Sequence, residues 1–270
     1  MSYLYVIGNR WLYLRRIWDL RFFWLALVQM DLRTRYRRSF FGIGWSLLRP
    51  LAMSTVLCLV FSKLFDIPAA EYAPFLLLGL SLWQFFVEST LHGCECFLNG
   101  AAYVRQQPVP LAIFPLRTTL GVGLHCLIAL LLALALAWIF RGIPSVLALA
   151  FLIPALILFF FFGWFMSIIG GLFHCHFPDT KHLFEIGIQI LFYLTPIIYR
   201  ADSLRNRERF LWAIELNPLT HMLELVRRPI LDGSLPPLNS MLMSLGFVAV
   251  IGIVAVLCLK KLEKNLIFWL

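Results

Sequence analysis

Histidine, cysteine and acidic side chains crowd one stretch of this chain: His174-Cys175-His176, followed by Asp179 and His182. These are metal-ligand types, but their spacing matches no familiar zinc pattern, and a solvated turn is the plainer reading. Cys94-Glu95-Cys96 carries even less, and no metal is expected. No Ser, His and Asp spacing singles out a nucleophile, because such triads are defined by geometry rather than order. The chain contains no G-x-x-x-x-G-K-[ST], so it does not bind ATP through a P-loop, and any ATP-driven motor lies on another subunit. Glu88, His125, Glu185 and Gln189 lie within or close to apolar runs. Ionisable groups at such depth face protein or a water-filled path and are functional candidates by default. Glu88 suits a functional role and a structural pairing equally, and Glu88 with His92 is the best pair an embedded acid–base enzyme could offer. Glu185 fits the mouth of a span.

The elements that must carry these groups follow from composition. The chain has 270 residues, 61% hydrophobic and 14% charged, with a mean hydropathy of +0.85. A soluble fold of this length could not hide so much apolar surface, so the excess faces lipid. A hydrocarbon core about 30 Å thick takes about 20 helical residues to cross. Six runs qualify: Leu47–Phe65, Pro74–Phe97, Ile113–Phe140, Val146–Gly171, Leu183–Tyr199 and Met241–Leu259. Long continuous runs indicate helices rather than barrel strands, because a helix satisfies its own backbone in lipid. The expected fold is all-α and polytopic, with residues 1–45 as an interfacial arm and 46–270 as one transmembrane domain. The arm mixes Arg10, Arg15, Arg16 and Arg21 with Trp11, Trp18, Phe22 and Trp24, which suits a helix lying in the headgroup plane. Segment 201–237 is too long for a simple loop and too polar to span. Its stretches Phe210–Leu216 and Leu219–Leu231 read as two short re-entrant helices, with Pro218 opening the second and Gly233 ending its exit turn.

Formal net charge is +9. In a chain of spans the surplus belongs on cytoplasmic loops beside anionic headgroups, and no nucleic-acid partner is expected. The arginine-rich arm and the tail Lys260, Lys261 and Lys264 place both termini in the cytoplasm, against the contrary charge of 200–237. The six cysteines show no secreted disulfide spacing and read as small apolar side chains. No cleavable signal peptide is expected, since Phe22–Met30 is too short and flanked by arginine.

Aromatic side chains make up 16% of the chain. Phe159–Phe162, Trp164 and Phe165 crowd one run, and Phe192 and Tyr193 another. Aromatic faces can stack on sugar rings, but four successive phenylalanines cover a whole helix circumference and cannot all line a path.

Asp31-Leu32-Arg33-Thr34-Arg35-Tyr36 and Phe41-Gly42-Ile43-Gly44-Trp45-Ser46-Leu47-Leu48-Arg49-Pro50 resemble the entry of polysaccharide and polyol-phosphate export permeases, the type-two ABC exporters of the O-antigen, capsule and teichoic-acid branches. Three further patches agree: Gly79–Phe86 with Trp83, Leu194-Thr195-Pro196-Ile197-Ile198-Tyr199 followed by Asn217-Pro218-Leu219, and the tail Lys260-Lys261-Leu262-Glu263-Lys264. The resemblance runs along essentially the whole chain, and the O-antigen branch is the nearest.

The resemblance implies a homodimer enclosing one translocation path in a bacterial inner membrane. ATP and Mg would sit on a separate ATP-binding ABC subunit, with no cofactor on this chain. Asn99–Arg117, with Arg105, Gln106 and Gln107, would form the main coupling element. Arg33, Arg35, Arg37, Arg38 and Arg49 would attract the diphosphate of a polyprenyl-linked glycan. Phe86, Glu88, Trp164, Phe192 and Tyr193 are candidates for the glycan path, and Asn217 and Pro218 for the periplasmic gate. Family members commonly carry Arg-Asp where this chain has Pro178-Asp179, so a guanidinium is missing there and a nearby histidine replaces it only in part. The alternatives are an ABC exporter of drugs or small lipids and a membrane-embedded enzyme acting on lipid-linked sugars.

Overall fold

The computed structural model describes residues 10–106, 109–142, 144–200 and 214–269. Ten helices appear among them: α1 (Arg10–Asp19), α2 (Arg21–Tyr36), α3 (Trp45–Leu64), α4 (Ala69–Cys94), α5 (Cys96–Gln106), α6 (Ile113–Arg141), α7 (Val146–His176), α8 (Thr180–Leu194), α9 (Pro218–Leu231) and α10 (Leu238–Trp269). No strand occurs among the described residues. The protein is all-α, and five stretches are long and apolar enough to cross a membrane: Gly42–Leu64, Ala69–Cys94, Ile113–Phe140, Val146–His176 and Leu238–Glu263.

The run expected as a span over Leu183–Tyr199 departs from the sequence reading. Its helix, α8, has 15 residues and so reaches only about 22 Å, short of the hydrocarbon thickness. Pro196 explains the stop, because a proline drives the preceding residue out of the α region. Thr195 duly sits at φ −100° and ψ 134°. The expected single arm helix is two, broken at Leu20, and the Trp24 indole donates to Ile17 O at 3.0 Å across the break. The expected second span ends at Cys94 rather than Phe97, and α5 starts after a turn at Glu95.

Helix α4 is the hub. It packs along α6 and α7, with α3 on one flank and α8 and α9 against it, while α10 lies along α7 and α9. Close approach of α4 and α7 depends on small residues, as is usual between membrane helices. A Cβ at Gly93 would lie 2.5 Å from the Ser167 Cα, and one at Gly171 would lie 2.8 Å from Gly93 O. The phenylalanine run divides as its periodicity requires: Phe159 and Phe162 are buried, Phe160 is half-buried and Phe161 faces out.

Only the second re-entrant helix lies among the described residues, since 201–213 fall outside them and take most of Phe210–Leu216 with them. Asn217 caps α9 by accepting from Leu219 N at 3.0 Å, and Pro218 takes the first turn, where its missing N–H costs nothing. Gly233, at φ +62°, turns the chain against Pro144, and Ser145 Oγ donates to Gly233 O at 2.9 Å.

Candidate functional site

The α2–α3 bend builds the site. Arg38 and Gly42 take positive φ there, and the Ser39 hydroxyl accepts from Gly42 N and the Trp45 indole, each at 3.2 Å. The bend turns the motif inward, and every polar residue of it with a described bond meets α4, α6 or the start of α3. Asp31 takes both nitrogens of a forked pair from Arg117 on α6. Arg35 reaches the His92 Nε2 on α4 at 3.5 Å. The Tyr36 hydroxyl lies 2.9 Å from Ser46 Oγ, and Ser46 Oγ lies 2.7 Å from His125 Nδ1 on α6.

These groups wall a cavity of about 500 Å³ between α2, α3, α4 and α6, here the arm-side cavity. Arg35, Arg49, Trp45, Glu88, His92 and His125 all reach it. A second hollow of about 570 Å³ shares Arg35, His92, Val122 and His125 with it and adds Asp31 and Arg117. Glu88 accepts from Gln84 Nε2 at 2.8 Å, one turn away on the same helix. The guanidinium of Arg49 has no hydrogen bond or ion pair among the described residues, and that of Arg35 meets only the His92 ring. Two exposed guanidinium groups beside hydroxyls, imidazoles and the single carboxylate of Glu88 make a recess suited to an anionic, hydroxylated headgroup.

The other residues singled out in sequence have other surroundings. Arg33, in the last turn of α2, and Arg37 and Arg38, on the bend, are exposed outside the cavity. Phe86 is enclosed between Trp83 and Phe162 at ring distances of 5.2 Å, so it fills the core of this chain rather than an open surface. Trp164 is half-buried, and its indole donates to Ala112 O at 3.2 Å. Phe192 packs on Trp83, whereas Tyr193 is 68% exposed. Arg105 and Gln106 are exposed at the end of α5, and Gln107 lies outside the described residues.

Helix α5, expected from the sequence to carry coupling, is tied to the arm. Phe23 of α2 meets Tyr103 of α5 edge-on at 5.8 Å. The Tyr13 hydroxyl donates to Glu263 on α10 and accepts from Ala112 N, both at 3.3 Å. In the 174–182 region, His174 and His176 close α7, and Lys181 Nζ donates to Glu95 Oε1 at 2.6 Å. That bond holds the Glu95 carboxyl below its ordinary value and raises the Lys181 ammonium. The lysine thus ties this loop to the end of α4.

Two separated sequence patches also come together. Asn217 Nδ2 donates to Thr195 Oγ1 at 2.9 Å, and Arg227 of α9 donates to Pro196 O at 2.5 Å and Ile197 O at 2.9 Å. The Arg227 guanidinium also lies 3.9 Å from the Phe75 ring centre and fills the space that a side chain at Gly79 would need. Sequence reasoning counted Arg227 only as one charge of a polar segment. The signal that could have found it was the Gly79 patch, which leaves room on a span for a large neighbour.

Residues 23–231 match the ABC-2 type transporter family. An O-antigen export system permease protein RfbA of Klebsiella pneumoniae is 30% identical over 214 residues, spanning 78% of this chain and 81% of that protein. The protein of the same name from Myxococcus xanthus is 23% identical over 237 residues, spanning 88% of this chain and 90% of its own length. The chain therefore belongs to the ABC-2 type transporter family, as a multi-pass membrane transporter subunit whose ATP hydrolysis lies with a separate partner.

Proposed function

We propose that this chain is the permease of an O-antigen-like exporter, moving a polyprenyl-diphosphate-linked polysaccharide across a bacterial inner membrane. The observation that carries the reading is the arm-side cavity, where Arg35 and Arg49 stand without a carboxylate partner among the described residues. The relatives' names point to the same cargo class. In this reading both termini are cytoplasmic, and the arginine-rich bend draws the anionic headgroup from the inner leaflet by a salt-sensitive attraction. The lipid remains in the membrane while the glycan follows between two copies of the chain. Support for a second copy comes from α8, where Leu183, Ile186, Ile190 and Tyr193 form an exposed stripe of helical spacing. ATP binding and hydrolysis on the partner act through α5 and the arm, which share the Phe23–Tyr103 contact.

The test is ATP hydrolysis by the chain and its partner reconstituted in lipid vesicles, with and without the polyprenyl-diphosphate glycan of the native host. The expected result is stimulation that weakens with salt and falls about tenfold in Arg49→Ala, the loss of one charge-assisted contact. Equal stimulation in wild type and in an Arg35→Ala, Arg49→Ala double variant would remove the cavity from the pathway. Stimulation by drug-like amphiphiles alone would favour the small-lipid exporter.

A further inference from the structure

Another cavity, of about 480 Å³, lies at the opposite end of α4 from His92, between α4, the chain after α8, and α9. Nothing in the entrance account uses it. Thr220 and Arg227 reach it at only 5% and 7% exposure. The Thr220 hydroxyl and the Arg227 Nε are both buried with no hydrogen-bond partner among the described residues. Arg227 has its two terminal nitrogens fixed on Pro196 O and Ile197 O, so only the Nε–H is left over. Buried polar groups without partners are rare in folded proteins, and two in one cavity mark the place of a polar ligand.

The charge around them selects the ligand class. Among the described residues, Arg200, Arg227 and Arg228 face Glu71, Glu224 and Asp232, three cations against three carboxylates. Arg200 pairs with Glu71 at 3.7 Å, and Glu224 accepts from Ser240 Oγ at 2.6 Å. The formal charges of these described residues cancel, unlike those of the arm-side cavity with two guanidinium groups and one carboxylate. The wall around Thr220 and Arg227 offers donors and acceptors side by side, with the half-buried Tyr199 ring as an apolar face. Hydroxyl groups of a neutral sugar ring donate and accept at once and leave an apolar face for an aromatic ring. We propose that this gate-side cavity is a saccharide subsite holding one neutral sugar unit, with Thr220, Arg227 Nε and Arg228 as its hydrogen-bonding groups. The inference rests on the reading that the cargo is a glycan, but not on the role of the arm-side cavity.

The test is saturation-transfer NMR on the full chain in lipid nanodiscs, without its ATP-binding partner. The probe is the host's surface polysaccharide freed of lipid by mild acid. Thr220→Val and Arg228→Ala are compared with wild type and with Gly246→Ala, a position that faces open space, each first shown to be folded by circular dichroism. Wild type and Gly246→Ala should bind alike, while Thr220→Val and Arg228→Ala weaken binding about three- to tenfold, the loss of one hydrogen bond each. Equal signals in all four proteins overturn the subsite, as does displacement of the polysaccharide by equimolar inorganic pyrophosphate. Absence of any wild-type signal also overturns it. In that case the export reading stands if deleting the gene still abolishes surface polysaccharide, and falls with the subsite if it does not.

Discussion

Arg227 and Arg228 are adjacent and chemically identical, yet one is sealed against two carbonyl oxygens and the other is exposed. The difference lies in Gly79, Phe75 and the Pro196 break, contributed by three distant parts of the chain. Gly79→Ala should therefore collide with the guanidinium and destabilise the protein by about 1–3 kcal/mol. Gly246→Ala, facing open space, should leave the melting temperature in detergent unchanged. Asp31→Asn should cost about 1–2 kcal/mol, because it strips one charge from a forked pair whose arginine is mostly buried and whose aspartate is not. The Glu95–Lys181 bond has a defined pH window. The Glu95 carboxyl is depressed below 4.5, so its contribution is present above that value and is lost as pH falls through the lowered folded value. The Lys181 ammonium is raised above 10.5, so its contribution holds below that value and is lost as pH rises through the raised folded value. Lys181→Met should lower thermal stability by a few tenths of a kcal/mol at pH 7, and the difference from wild type should vanish in acid below the Glu95 transition.

Among the elements, the long apolar helices α3, α4, α6, α7 and α10 were legible from sequence because the bilayer imposes one dominant requirement, a run long enough to cross it. The α9 helix was legible because Asn217, Pro218 and Gly233 are local start and stop signals. The shortened α8 was not read correctly, since Ile197, Ile198 and Tyr199 continue its apolar run while Pro196 ends its geometry. Within the site, Arg35 and Arg49 stood in a recognisable motif, but the surroundings of Tyr36, Ser46, His92 and His125 depend on contacts between helices. Composition could likewise not distinguish Phe86, sealed against Phe162, from Tyr193, which faces out. In the proposed function α5 transmits force, with Arg105 exposed near its end and Tyr103 against the arm. Arg105→Ala should leave the protein folded and bound to its partner while uncoupling ATP hydrolysis from export. Unchanged coupling in reconstituted vesicles would take that role from α5.

As a whole, the molecule has an arm-side cavity with surplus positive charge and a gate-side cavity with balanced charge, set at opposite ends of α4. That asymmetry suits a cargo with an anionic head and a neutral polymer, where one end captures the head and the other accommodates sugar. The proposed homodimer belongs to this scale, and Ile190→Cys on the α8 stripe should cross-link two copies in native membranes if that stripe forms the seam; a chain that stays monomeric under oxidation would place it against lipid. Deleting the gene in its native host tests export of a lipid-linked polysaccharide most directly. Surface polysaccharide should disappear while polyprenyl-linked polymer accumulates inside the cell, with both restored by the wild-type gene. Unchanged surface and internal pools in a strain with no second exporter would contradict it.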